Sequence, residues 1–122
     1  AARAAGDDYT AILIRLLCDR LAEACAEWLH LRLRREDWGY VPDEALTLDE
    51  LFHEKYAGIR PAPGYPACPD HALKRVILDT LDPEGALGIS LTESNMMVPV
   101  SSVAGFLFAS GKARYFDSRD VA

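Results

Sequence analysis

One stretch decides the fold, Arg60-Pro61-Ala62-Pro63-Gly64-Tyr65-Pro66-Ala67-Cys68-Pro69, which we call the proline ribbon (residues 60–69). Its four prolines exclude a regular helix or a central strand, since each removes a backbone donor and fixes φ. Each proline also drives the residue before it into an extended conformation. Gly64 is free to adopt a positive φ and to let another group approach the backbone. We therefore expect a stiff, sharply turned ribbon with carbonyls that no neighbouring N–H pairs.

The ribbon has two interpretations. Its composition alone favours a connector between two helices. However, the guanidinium of Arg60 at its start and the phenol of Tyr65 beside Gly64 also fit a clamp for a small polar ligand. The residues of the ribbon by themselves leave both interpretations open.

Composition limits the class of protein. The chain has 122 residues, of which half are hydrophobic, so it predicts one domain with a modest core. Its net charge of −6 argues against nucleic acid or an anionic membrane as partner, because both need a basic surface. The three cysteines, Cys18, Cys25 and Cys68, form no CxxC pair. They predict free thiols in a reducing cytoplasm, with Cys18 and Cys25 as small apolar groups in a buried position.

The N-terminal segment predicts one long helix. Asp7 or Asp8 is a suitable N-cap, and no Gly or Pro follows until Gly39. Apolar residues recur at helical spacing and predict a buried band, formed by Ile12, Leu13, Leu16, Leu17, Leu21, Ala24, Cys25, Trp28 and Leu29. On the opposite side lies an acidic stripe, which we define as Asp19, Glu23 and Glu27. The stripe fits a solvated face, or a set of acceptors for a cationic or hydroxyl-rich ligand.

Two shorter helices follow. Thr47 with Glu50 three residues later predicts a capping box at the start of the first. Pro69 suits the first position of the next helix, which should end at residues 82–85. His53 and Glu54 are expected at the surface rather than in a catalytic site, because no nucleophile or metal partner accompanies them. His71, in the first turn of the second of these helices, is not expected to be a metal ligand.

The C-terminal third changes to the alternating pattern of strands. Residues 87–91, 101–110 and 113–116 predict three antiparallel strands, with a loop over 95–99. Tyr115 and Phe116 should point to opposite faces of the last strand, where either core packing or a ligand could occupy them. The predicted fold class is α+β, with a long N-terminal helix and two shorter helices packed on a small twisted antiparallel sheet.

The run from Gly58 to His71 resembles the signature segment of the activation domain of cobalamin-dependent methionine synthase. The core motif of that family, Arg-x-x-x-Gly-Tyr, is met by Arg60, Gly64 and Tyr65. The resemblance continues in collinear order through four further blocks, at residues 19–24, 91–94, 102–105 and 114–116. It implies that residues 1–122 are the C-terminal portion of a larger activation domain whose upstream and extreme C-terminal parts lie outside this chain.

The resemblance implies a function for the chain within a methyltransferase. Such domains bind S-adenosylmethionine (AdoMet) for the reductive methylation of cob(II)alamin, which is held by a neighbouring cobalamin-binding domain of the same enzyme. This step restores methyl transfer from methyltetrahydrofolate to homocysteine in methionine biosynthesis. The electron donor is a flavodoxin or a flavoprotein reductase, and the zinc of the family lies elsewhere in the parent enzyme.

The resemblance also implies the AdoMet site of this chain. Arg60 matches the arginine that holds the methionine carboxylate, for which a planar guanidinium is well suited. No catalytic acid or base and no metal ligand is implied, so this chain by itself is not expected to be catalytic. The other residues carried over are the backbone contacts Ala62 and Gly64, the motif tyrosine Tyr65, the aromatic pair Tyr115 and Phe116, and the helix glutamate Glu23.

Two alternatives belong to other functional classes. The first is a stand-alone AdoMet-binding or sensory module without cobalamin chemistry. An upstream cobalamin module with an Asp-x-His-x-x-Gly motif would exclude it. The second is a structural domain in which the proline ribbon docks a partner, and this alternative predicts no heat of binding on titration with AdoMet.

Overall fold

The structure is a computed structural model that describes residues 6–115. Its elements are α1 (Asp8–Arg32), a π-helical turn (Leu33–Asp37), α2 (Leu48–Phe52), α3 (Leu73–Leu81), β1 (Ser90–Leu91) and β2 (Met97–Val98). The two strands pair antiparallel, with Ser90 opposite Val98 and Leu91 opposite Met97. This arrangement confirms the predicted α+β class. Among the described residues, no helix combines the length and the apolar character needed to cross a membrane.

Local sequence signals set the starts of α1 and α2 as predicted. The Asp7 side chain caps α1 by accepting from the Thr10 N–H at 3.0 Å. Thr47 and Glu50 form the predicted capping box at the start of α2. The hydrogen bonds within this box lower the pKa of the Glu50 carboxyl because they favour its charged form.

The start of α3 differs from the prediction. The helix begins at Leu73 rather than at Pro69. The Asp70 carboxylate accepts from the Ala72 N–H at 2.8 Å, and Cys68 turns back to donate to the Tyr65 carbonyl at 2.8 Å. Because these hydrogen bonds hold the backbone before Leu73 in turns, that backbone does not form the first turn of the helix.

The sheet is smaller than predicted. Within the part of the chain that the structure describes, β1 and β2 form a hairpin, so β2 lies in the segment predicted as a loop. Asn95 allows its turn by adopting a φ of 59°. The segment 101–110 is not a strand of this sheet; its Phe108 instead forms an isolated bridge with Ile59. The described part of the predicted third strand, residues 113–115, is not a strand either.

The two sides of α1 are reversed relative to the prediction. Side chains of the apolar band are exposed, from 44% for Leu13 and Leu29 to 68% for Leu21. Cys18 and Cys25 are exposed free thiols rather than buried groups. The band remains exposed because α1 meets the later segments through its acidic stripe, as the side-chain contacts below show. Several of the buried residues are polar or charged, namely His30, Arg34, Glu44 and Lys74.

Candidate functional site

The proline ribbon is held by the segment that follows the sheet. Ile59 and Phe108 exchange both backbone hydrogen bonds, at 3.1 and 3.0 Å, and the Phe106 N–H donates to the Pro61 carbonyl at 2.9 Å. Within the ribbon, the Tyr65 N–H donates to the Ala62 carbonyl at 3.3 Å. The expectation of unpaired carbonyls was therefore wrong at these positions. The partner of the Pro61 carbonyl is 45 residues away in sequence, where local reasoning could not find it, whereas the partner of the Ala62 carbonyl is only three residues away.

Gly64 lies against an imidazole. It has a φ of +99°, and a Cβ built at this position would overlap the His71 ring. The Nδ1 atom of His71 lies 2.9 Å from the Lys74 ammonium nitrogen, which also donates to the Asn95 carbonyl at 3.3 Å. Lys74 is only 6% exposed. Gly64 is thus required both by the backbone conformation and by the ring that fills the space of its missing side chain.

Arg60 is fixed at its backbone and at its guanidinium. Its N–H donates to the Tyr115 hydroxyl at 2.7 Å. Its Nη2 donates to Glu27 Oε2 at 3.1 Å. The side chain is 19% exposed, and its Nε has no hydrogen-bond partner among the described groups. Arg60 is therefore a largely desolvated cation with donor capacity that residues 6–115 leave unused.

The acidic stripe of α1 faces this region. Asp19 accepts from the Ser101 hydroxyl at 2.5 Å, and Glu27 pairs with Arg60. Glu23 lies between them on the same helix face and lines a cleft in front of the ribbon. Of the two interpretations of the stripe, the solvated face is excluded for Asp19 and Glu27.

The ribbon forms one wall of this cleft, which has a volume of about 680 Å³. That volume falls within the range of about 300–1,000 Å³ usual for small-molecule sites. Besides the ribbon, the cleft is lined by Glu23, Glu54, His71, Lys74, Met96, Met97, Val100, Ser102, Val103, Ala104, Gly105 and Tyr115. Apolar walls with a few charged groups of both signs suit a ligand that carries an aromatic part and several charges.

Six of the seven residues carried over from the resemblance line this cleft. They are Glu23 from α1, Arg60, Ala62, Gly64 and Tyr65 from the ribbon, and Tyr115 from the C-terminal segment. Phe116 lies outside the described residues. The structure thus brings together residues up to 92 positions apart in sequence, as a shared binding site requires.

Sequence reasoning missed three charged or titratable residues of the cleft. Glu54 was expected at the surface; it is exposed, but it lines the cleft with an unusual φ of 53°. His71 was considered only as a metal ligand and set aside, and Lys74 was not considered. The spacing of three residues between His71 and Lys74 was the available signal, because such a pair can meet across one helical turn.

A buried charged cluster lies behind Arg60. Arg34 is fully buried and donates to both oxygens of Glu44, at 2.7 and 2.8 Å. Its guanidinium also stacks on the Tyr56 ring, with Cζ 4.4 Å from the ring centroid. His30 meets the same ring edge-on, with centroids 4.8 Å apart. Burial, together with the charges of Arg34 and Arg60, lowers the pKa of His30 to about 4.

The cluster extends to the cleft through two tyrosines. Burial, followed by the interaction with the Tyr115 hydroxyl, raises the pKa of Tyr56 above its usual range. Tyr56 therefore stays a neutral phenol, and Tyr115 is in turn the acceptor for the Arg60 N–H. Within residues 6–115, no three His, Cys, Asp or Glu side chains are grouped so that they could hold a metal ion.

The fold is α+β, and its cleft has the size and the mixed lining that are usual for a small-molecule site. The model of one family, described as "Vitamin B12 dependent methionine synthase, activation domain", matches residues 1–122. The chain therefore belongs to the family of vitamin B12-dependent methionine synthase activation domains. A methionine synthase is a methyltransferase, so the members of this family are parts of a methyltransferase.

One solved structure is closely similar. The crystal structure of the MetH reactivation domain bound to AdoHcy superimposes with a TM-score of 0.89 and shares 50% sequence identity. The match covers 94% of this chain and 35% of that chain. The chain therefore spans about a third of the length of the protein that it resembles.

Proposed function

We propose that the cleft binds AdoMet and presents its methyl group for the reductive methylation of cob(II)alamin, which reactivates a cobalamin-dependent methionine synthase. The observation that carries the proposal is the convergence on one cleft of Arg60, the ribbon backbone, Glu23 and Tyr115. The MetH reactivation domain, which shares 50% sequence identity with this chain and has AdoHcy bound, supports the choice of ligand. AdoHcy is AdoMet without its methyl group.

The residues of the cleft suit the separate parts of AdoMet. Arg60 offers a planar set of donors to the methionine carboxylate. Glu23 and Glu54 place negative charge along a cleft that would receive an ammonium and a sulfonium. Tyr65 and Tyr115 supply aromatic surface for the adenine. Attraction between these charges favours the cationic donor, since opposite charges interact strongly in a partly desolvated site.

The role of the domain in this proposal is to position the methyl donor. AdoMet supplies a methyl group on a positively charged sulfur, and the acceptor is the reduced cobalamin of a neighbouring domain after one electron from a flavodoxin or a flavoprotein reductase. No side chain of the cleft has to take or give a proton. Holding a flexible donor in a reactive orientation can by itself account for a large rate increase.

The cleft also excludes part of the solvent from the donor. Apolar side chains line one side of it, including Met96, Met97, Val100 and Val103. A site with less water strengthens the charge interactions with Arg60 and with the two glutamates.

Arg60→Ala in the full natural polypeptide tests the proposal. Loss of a charge-assisted bond to the carboxylate should weaken AdoMet binding by about 10- to 100-fold. The variant should slow reactivation and leave the primary methyl transfer from methyltetrahydrofolate largely intact. Calorimetric titration measures the first effect, and turnover assays with and without AdoMet separate the other two.

Arg75→Ala is the matched control. Arg75 is an exposed arginine of α3, so its removal changes the net charge equally without touching the cleft. Unchanged AdoMet affinity in Arg60→Ala, or loss of primary turnover with normal reactivation, would contradict the proposal.

A further inference from the structure

Glu27 lies between two guanidinium groups. Its Oε2 accepts from Arg60 Nη2 at 3.1 Å, and its Oε1 lies 3.9 Å from Arg34 Nη2. It is one helical turn after Glu23 on α1, but it does not line the cleft. Glu27 is thus placed to act on the cleft through Arg60 rather than by touching a ligand.

Arg34 provides a fixed support for Glu27. Its side chain is fully buried, its fork is bound to both oxygens of Glu44, and its face is packed on Tyr56. Such a bidentate and stacked guanidinium has little freedom to move. The carboxylate of Glu27 therefore lies between the firmly held guanidinium of Arg34 on one side and the guanidinium of Arg60 on the other.

Glu27 uses only part of the donor capacity of Arg60. A guanidinium carries five N–H donors, and Glu27 accepts from Nη2 alone. The Nε of Arg60 is buried and has no hydrogen-bond partner among the described residues. Arg60 is consequently oriented by one side-chain bond, to Glu27, and its other N–H donors have no hydrogen-bond partner among the described residues.

We propose that Glu27, supported by Arg34, is a positioning residue that orients the Arg60 guanidinium toward the ligand carboxylate. This inference rests on the proposed function, because it takes a carboxylate ligand of the AdoMet type as the partner of Arg60. Fixing a long side chain in its binding rotamer before the ligand arrives removes part of the entropy cost of binding. Glu27 contributes to affinity in this way even though its negative charge repels the carboxylate of the ligand.

Two ligands that differ only in the carboxylate test the role of Glu27. AdoMet and decarboxylated AdoMet are titrated calorimetrically into the full natural polypeptide and into its Glu27→Ala variant. The variant should bind AdoMet about 10-fold more weakly, which matches the loss of about one ordered side chain. Its affinity for decarboxylated AdoMet should stay within about twofold of the wild type, because that ligand has no group for Arg60 to hold.

Two further variants separate positioning from damage to the fold. Glu27→Gln keeps the shape and one acceptor oxygen, so it should recover most of the AdoMet affinity. Glu36→Ala removes a carboxylate whose side chain is 72% exposed, on the turn after α1, and should change neither affinity.

Three outcomes would overturn the inference. Equal loss of affinity for both ligands in Glu27→Gln would overturn the inference and assign Glu27 a structural role. Tighter AdoMet binding in either Glu27 variant would also overturn it, since Glu27 would then compete with the ligand. If the wild type binds neither ligand, the proposed function itself fails, and the inference fails with it.

Discussion

Gly64→Ala is the sharpest test of how the ribbon forms the wall of the cleft. The change adds one methyl group at a residue with a φ of +99°, where L-residues are strained. The new Cβ would overlap Cε1 of His71 and lie 2.7 and 2.8 Å from its two nitrogens. His71 does not move away freely, because its Nδ1 is 2.9 Å from the Lys74 ammonium.

The magnitude follows from two separate effects. A positive φ in a residue other than glycine costs about 1–2 kcal/mol. Forcing a methyl group into occupied space adds about 1–3 kcal/mol, so the domain should lose about 2–5 kcal/mol of stability. Gly85→Ala isolates the first effect, since Gly85 has a φ of +70° and nothing within 4 Å of its built Cβ. Gly111→Ala has neither feature and should be nearly neutral.

The three alanine variants are compared in the full natural polypeptide. Hydrogen–deuterium exchange of peptides from this domain reports local stability, and titration with AdoHcy reports the cleft. The expected order of destabilisation is Gly64, then Gly85, then Gly111, and only the change at Gly64 should reduce affinity, by about 10-fold or more. If Gly64→Ala is as stable as Gly111→Ala and binds AdoHcy normally, the close contact of Gly64 with His71 is not a feature of the folded protein.

Two other predictions concern the buried cluster. The pKa of His30 is about 4, against 6.5 for an ordinary histidine. In the unfolded chain His30 is protonated below pH 6.5, whereas in the native state it is not protonated until about pH 4. The free energy of unfolding should therefore fall by up to about 3 kcal/mol as the pH falls through this window. His30→Phe should remove that pH dependence in hydrogen exchange, and an unchanged slope would assign it to another group. Arg34→Ala leaves Glu44 buried without its partner and should cost about 3–5 kcal/mol in chemical denaturation. The double variant Arg34→Met/Glu44→Leu should recover most of that loss, and a double variant as unstable as Arg34→Ala would show that the charges themselves are required.

The sequence predicted the cleft better than the sheet. The motif of the proline ribbon and its flanking blocks named six residues that the structure places around one cleft, because a motif specifies particular residue types at particular positions and not a periodic pattern. The strands could not be predicted equally well. Residues 101–110 contain the β-branched and aromatic side chains typical of a strand. Such a composition does not say which backbone pairs with which, and Phe108 pairs with Ile59 beside the ribbon.

The sequence by itself determined the features that depend on near neighbours. The cap at Asp7, the capping box of Thr47 and Glu50, and the exclusion of the ribbon from helix and sheet follow from interactions within a few residues. Only the tertiary structure decided which side of α1 faces inward. Periodicity places the apolar band and the acidic stripe on opposite sides, but the ion pair of Glu27 with Arg60 and the bond of Ser101 to Asp19 turn the stripe toward the cleft. Those partners lie 33 and 82 residues away, so no local pattern could have specified them.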